Sequence, residues 1–412
     1  MIQYKRFFLD NGLEVIIHTD NSSPLVTINT LYKVGSRDET PDKTGFAHLF
    51  EHLMFAGSEN VKDFDSVLEQ AGGENNAFTS NDITNYYITL PSSNIETALW
   101  IESDRMKALH INKKSLDIQR QVVIEEFKEH YINQPYGDVW HLLSELAYKT
   151  HPYQWPTIGK NITHIEQATL DDVRAFFAKY YIPNNAILVI AGPIEFDIAK
   201  SLVEKWYSDI PKGQDIHRHI PMEEEQTIER SLTIKEEVPV NYIYKTYKMC
   251  ERIHSSYQTI DLISDILGSG DSSRFTQKLI KEKKLFNSIN AYVTGTLDQG
   301  LFVIDAKVAD DVEVELADKA IVDLLEEFKA TAISEYELQK VKNQIESYNE
   351  LNDIDILNRA TNLAYYSYMG DVEFANTEIS QYLKITVKDI QETAQQLFNN
   401  ARCCNLYYLK KN

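Results

Sequence analysis

FAHLFEHLMF, residues 46–55, places apolar side chains at Phe46, Leu49, Phe50 and Leu53, the three-and-four spacing that predicts one buried face of a helix. On that helix His48 and His52 stand a turn apart on one side, with Glu51 three residues after His48 on the same side. The order H-x-x-E-H lets two imidazoles chelate one zinc ion while the acid between them serves as general base. Zinc makes water acidic enough to attack near neutral pH, and a carboxylate beside it takes the proton. Only 11 of the 412 residues are histidine, and two polar rings in so apolar a helix cost free energy unless they have partners.

A catalytic zinc site needs a third protein ligand and an open position. The helical stretch RQVVIEEFKEH, residues 120–130, offers Glu125, Glu126, Glu129 and His130. Val122, Val123 and Phe127 are expected to pack inward. Glu126 follows the two valines at spacings of four and three, whereas Glu125 points more sideways, so Glu126 is the expected ligand. Other histidines, such as His18, His110, His217 and His254, are isolated and read as surface or incidental residues.

Outward from this centre the chain is punctuated by strands and helices. LEVIIHTD (13–20) and LVTINTLYKVGSRDE (25–39) alternate as strands, and Asn11-Gly12 reads as the turn of a hairpin. A helix over DFDSVLEQAG (63–72) ends at Gly72-Gly73, and AFTSNDITNYYITLP (77–91) reads as a strand pair. AILVIAG (186–192) is a buried strand closing the first half. PKGQDIHRHIPMEEEQ (211–226) lacks apolar periodicity and marks a linker. Strands and helices then recur in similar order without convincing residue identity. The expected architecture is α+β, with two similar domains, each a mostly antiparallel sheet packed with helices: 1–212 carrying the metal, a linker at 213–229, and 230–412.

Composition narrows the function. Lys and Arg number 41 against 62 Asp and Glu, a net charge of -21, which opposes binding to a phosphate backbone. No run of roughly 18 apolar residues exists to cross a membrane. The opening MIQYKRFFLDNGLEVIIHTD has no signal-peptide pattern, so neither nucleic acid nor membrane is an expected partner, and the expected location is cytoplasmic. Cys250, Cys403 and Cys404 read as reduced thiols.

The sequence resembles the pitrilysin and insulinase family of inverted-motif zinc peptidases, in particular its mitochondrial-processing-peptidase-like branch of bacterial type. The resemblance runs through GSRDE (35–39), GFAHLFEHLMFAGSEN (45–60), AGGENNAFTSNDITNYY (71–87), VVIEEF (122–127), HPYQWPTIG (151–159) and YIPNNAILVIAGPI (181–194). It implies one zinc per chain on His48, His52 and Glu126, with Glu51 as base. Two such chains or halves would close a chamber around an unstructured peptide. It also implies that substrate adds as a strand along Asn76, Ala77, Phe78 and Thr79, held by main-chain hydrogen bonds of broad specificity.

The sequence departs from the family in two places. Gln119 stands where many members carry a glutamate seven residues before the third ligand, and it can orient a neighbour without supplying charge. In the second half, members commonly have an arginine and a tyrosine seven residues apart that approach the substrate carbonyl. In LIKEKKLFNSINAY (279–292) those positions hold Ile280 and Asn287, neither a substitute oxyanion donor. The expected function is therefore a zinc endopeptidase acting on short or unfolded polypeptides. Its expected partner is a homologous subunit without zinc that supplies the arginine and tyrosine, with a homodimer as the alternative. The rival readings are a non-catalytic assembly subunit and a zinc-dependent peptide-binding protein of the same fold.

Overall fold

The computed structural model describes residues 1–411. Its backbone divides into two compact units, each built around one sheet.

The first unit holds β1 (Lys5–Phe8), β2 (Glu14–Thr19), β3 (Leu25–Tyr32), β4 (Glu74–Thr79), β5 (Thr84–Pro91) and β6 (Ala186–Gly192), ordered β1-β2-β6-β3-β5-β4. All neighbours are antiparallel except β2 and β6. The hairpin between β1 and β2 turns at Gly12, whose φ of 87° favours a residue without Cβ. A Cβ there would also meet the Cβ of Asn184 at 2.7 Å. Every residue of β6 is buried, as its unbroken apolar run requires of a strand covered on both faces. β4 ends the sheet, with β5 as its one strand neighbour among the described residues.

The second unit holds β7 (Arg230–Glu236), β8 (Tyr242–Lys248), β9 (Phe286–Val293), β10 (Leu301–Val308) and β11 (Cys403–Lys410), ordered β7-β11-β8-β10-β9. Here too one pair, β7 with β11, is parallel and the rest are antiparallel. With β1 set aside, the two strand orders match one to one: β2, β6, β3, β5 and β4 correspond to β7, β11, β8, β10 and β9. The repeat inferred from element order is thus a repeat of winding, carried by hydrophobic pattern rather than by shared residues.

Each unit draws chain from both sides of the 213–229 segment. The second includes residues 130–150, and the first includes residues 350–376. The helix Val139–Ala147 buries Val139 and Leu143 with Val238, Leu406 and Tyr408. The helix Ile356–Met369 buries Ile356, Ala360, Leu363 and Ala364 against Ile16, Leu31, Ile187 and Val189. Residues 211–227 have no regular secondary structure. They are nonetheless tied down: Arg218 Nε donates to Asp38 at 2.6 Å, and Gln226 Nε2 donates to the Cys403 carbonyl at 2.9 Å. All three cysteines are free. Among the described residues no helix is long and apolar enough to cross a membrane.

Candidate metal centre

The helix Phe46–Leu53 buries Phe46, Ala47, Leu49, Phe50 and Leu53, leaving His48, Glu51 and His52 as its only residues with appreciable exposure. Phe50 anchors the buried side, stacking on Phe176 and Tyr181 with both ring centroids at 5.0 Å. The start of the helix is fixed by Glu39, whose two carboxylate oxygens accept the N–H groups of Gly45 at 2.9 Å and Ala47 at 2.8 Å. These are donors that a helix start leaves without internal partners, and the two bonds partly oppose the burial that pushes the Glu39 carboxyl up to about 8.

The helix Lys113–Phe127 brings Glu126 to the histidines. Its carboxylate oxygens lie 3.7 Å from His48 Nε2 and 3.4 Å from His52 Nε2. The two imidazole rings meet edge to face with centroids 4.9 Å apart. One donor atom from each of the three residues lies within 4.8 Å of the others, and among the described residues no other group of His, Cys, Asp and Glu does this. A tetrahedral zinc with bonds of about 2.0–2.1 Å separates its ligand atoms by roughly 3.3–3.4 Å; the 3.4 Å distance to His52 meets this, and the 3.7 Å distance to His48, made to the other carboxylate oxygen, has only a few tenths of an ångström to close. Burial holds His48 down at about 4, so its ring is neutral at pH 7 and free to act as a ligand. Its Nδ1 is buried and has no hydrogen-bond partner among the described residues.

Val122, expected to point inward, is 43% exposed, while Val123 and Phe127 are buried. The inward face therefore runs through Val123, Glu126 and Phe127. Glu125 is exposed and occupied with Gln121 and Lys128 at 2.8 and 2.9 Å, and Glu129 and His130 are exposed as well. Glu126→Gln is accordingly expected to lower bound zinc by at least tenfold, with Glu125→Gln near wild type. Metal analysis of the two purified variants checks the order. Gln119 lies two turns before Glu126 on the same helix, half-buried, and its side chain makes no hydrogen bond among the described residues.

Glu51 is tied to the sheet edge. Thr79, the last residue of β4, donates its hydroxyl to Glu51 Oε2 at 2.6 Å. Burial pushes the Glu51 carboxyl above its ordinary range, against the pull of Thr79 and of His52. Along β4 exposure alternates, with Asn76 and Phe78 outward and Ala77 and Thr79 half-buried.

Sequence reasoning assigned no role to the residues that hold this edge in place. The amides of Ser36 and Arg37 donate to the carbonyls of Ser80 and Asn81 at 3.2 and 2.9 Å. Arg37 reaches Asp82 at 3.2 Å and the Tyr368 hydroxyl at 2.7 Å, and Tyr153 donates to Asp82 at 2.6 Å. Trp155 donates to the Ser36 carbonyl at 2.9 Å. GSRDE, the NDIT turn and HPYQW, which looked like separate signatures, are one buried polar network at the β4–β5 turn. A Cβ at Gly35 would fall 2.4 Å from the Asn81 carbonyl oxygen, which explains a glycine there.

Two like-wound α+β units, one of them bearing an H-x-x-E-H helix faced by a glutamate, define the class of inverted-motif peptidases. Residues 14–161 match the family profile described as insulinase (peptidase family M16), and residues 167–345 match the one described as peptidase M16 inactive domain. Zinc protease PqqE of Helicobacter pylori is 30% identical over 409 residues, covering 97% of this chain and 91% of the relative. A probable mitochondrial-processing peptidase subunit beta of Arabidopsis thaliana is 22% identical, covering 82% of this chain and 65% of that one. The crystal structure of a protease from Helicobacter pylori superposes with a TM-score of 0.93 at 28% identity, covering 99% of this chain and 100% of that one. The chain belongs to the insulinase family, peptidase family M16, on its mitochondrial-processing-peptidase-like branch.

Proposed function

We propose that the chain is a zinc endopeptidase acting on short or unfolded polypeptides. His48, His52 and Glu126 would hold one zinc ion, which when bound supplies Lewis-acid polarisation of the scissile carbonyl and acidifies water. Glu51 takes the proton from the attacking water and delivers it to the leaving amine, a role suited by a carboxyl raised towards neutrality. Substrate adds to the free edge of β4 along Asn76, Ala77, Phe78 and Thr79, where main-chain hydrogen bonding accepts many sequences.

The observation that carries this reading is the 2.6 Å hydrogen bond from Thr79 to Glu51. It joins the general base to the strand along which a peptide would lie, so that a bound backbone and the proton acceptor share one frame. The names of the relatives as zinc proteases support the same chemistry.

The second unit has Ile280 half-buried against its core and Asn287 exposed on β9, where the family's arginine and tyrosine would stand. The proposed working form is therefore a heterodimer with a homologue that supplies those donors. The test is cleavage of an unstructured peptide by the chain with its partner, before and after chelation and after zinc is restored. Activity that follows zinc supports the reading, and activity indifferent to chelation contradicts it.

A further inference from the structure

The second sheet carries an acid in a position where strands seldom hold one. Asp305 lies within β10, between β8 and β9, and aspartate is depleted in strands because burial there costs its charge. Tyr244 stands directly opposite it on β8 and Asn290 directly opposite on β9. Tyr242 and Tyr292 occupy diagonal positions on the same face, opposite Lys307 and Val303. The Tyr242 and Tyr244 rings stack at 4.9 Å and 14°, and Tyr136 backs Tyr242 at 5.2 Å. The helix Tyr257–Gly268 packs with Ile289 and Ala291 on the other face; on this one the cluster of Val139, Leu143, Val238, Leu406 and Tyr408 packs against Tyr242 and Tyr244 on the β8 side.

The Asp305 carboxylate accepts from Asn290 Nδ2 at 3.2 and 3.5 Å and neighbours the Tyr242 hydroxyl. No cation is among the groups that act on it, and Lys307, two residues along the same face, forms no ion pair with it among the described residues. Burial accordingly pushes the Asp305 carboxyl above its usual range. The Tyr292 ring remains 37% exposed, so the cluster is open from its β9 side. A half-buried carboxylate without a cation, flanked by the part-exposed Tyr292 ring and by the stacked Tyr242–Tyr244 pair, has the complement of a guanidinium: a ring face for the flat cation and a carboxylate for its fork.

We propose that Asp305, Tyr242, Tyr244 and Tyr292 form a subsite for a cationic side chain, arginine above lysine, of a bound polypeptide. The proposal rests on the reading that this chain binds peptides. It places a charge-selective contact on the second unit's counterpart of the β5–β4 pair, where main-chain pairing alone gives no selection. The subsite would favour basic polypeptides, in keeping with the net charge of -21.

The test is a titration of the intact, zinc-loaded chain, carrying ring-labelled tyrosine, with Nα-acetyl-arginine methylamide and with its citrulline equivalent, which keeps the shape and lacks the charge. The arginine probe is expected to shift the signals of Tyr242, Tyr244 and Tyr292 with an affinity about tenfold or more above that of citrulline. Asp305→Asn should abolish the difference; Tyr292→Leu, at an exposed position, is the second variant should the first not fold. Equal binding of the two probes, or an arginine preference that survives in the folded variants, would overturn the proposal. The titration needs neither turnover nor a partner, so failure of the peptidase reading would appear in cleavage assays while leaving this result standing.

Discussion

Glu51→Gln is expected to retain zinc and fold while losing peptide cleavage by about 10²- to 10⁴-fold, the usual range for removing a positioned general base. The amide keeps the shape of the side chain, and its carbonyl oxygen can still accept the Thr79 hydroxyl that lies 2.6 Å from Glu51. What it cannot do is accept the proton. Glu51 is not among the three residues whose donor atoms converge, so metal content and kcat should separate in this variant. Zinc analysis beside steady-state kinetics decides the matter, and cleavage at the wild-type rate would remove Glu51 from the mechanism.

A second large effect is expected from subunit composition. Ile280 offers no donor, and the Asn287 amide is shorter and less acidic than the phenol it replaces, so two copies of this chain would lack the arginine and tyrosine at both sites. Purified alone, the chain should bind zinc and cleave an unstructured peptide poorly. Addition of a homologue that lacks the zinc motif and keeps the arginine and tyrosine should raise kcat by about 10²-fold or more, the cost commonly seen for one oxyanion donor. Full activity of the isolated chain, with no second protein in the preparation, would instead favour a homodimer that uses other donors.

Much of the fold was legible in the sequence because hydrophobic period reports it directly. The run over 186–192 is a fully buried central strand, and Asn11-Gly12 is the β1–β2 turn. The like winding of the two sheets was visible only as element order, since packing fixes periodicity and leaves residue identity free. The segments 130–150 and 350–376 were not legible as members of the opposite units. An amphipathic helix declares that it has an apolar face without declaring which sheet will cover it.

Within the centre, the histidine pair followed from spacing alone. Glu126 was chosen partly through Val122, which proved exposed; the buried neighbours that place it are Val123 and Phe127. Arg37, Asp82 and Tyr153 were invisible as a group because their contacts join segments far apart in the chain. Asp305 gave one readable signal, an acid following four apolar residues in the strand GLFVIDAKV. Its aromatic neighbours come from β8 and β9, which only register brings beside it.

The central claim is that one zinc ion sits among His48, His52 and Glu126. Crystals of the zinc-loaded chain, measured on both sides of the zinc absorption edge, test it without reference to substrate or partner. The expected result is a single strong anomalous peak per chain within about 2.0–2.2 Å of the Nε2 atoms of His48 and His52 and of a carboxylate oxygen of Glu126. No peak between these three residues at saturating zinc, or a peak held by other side chains, would contradict the account.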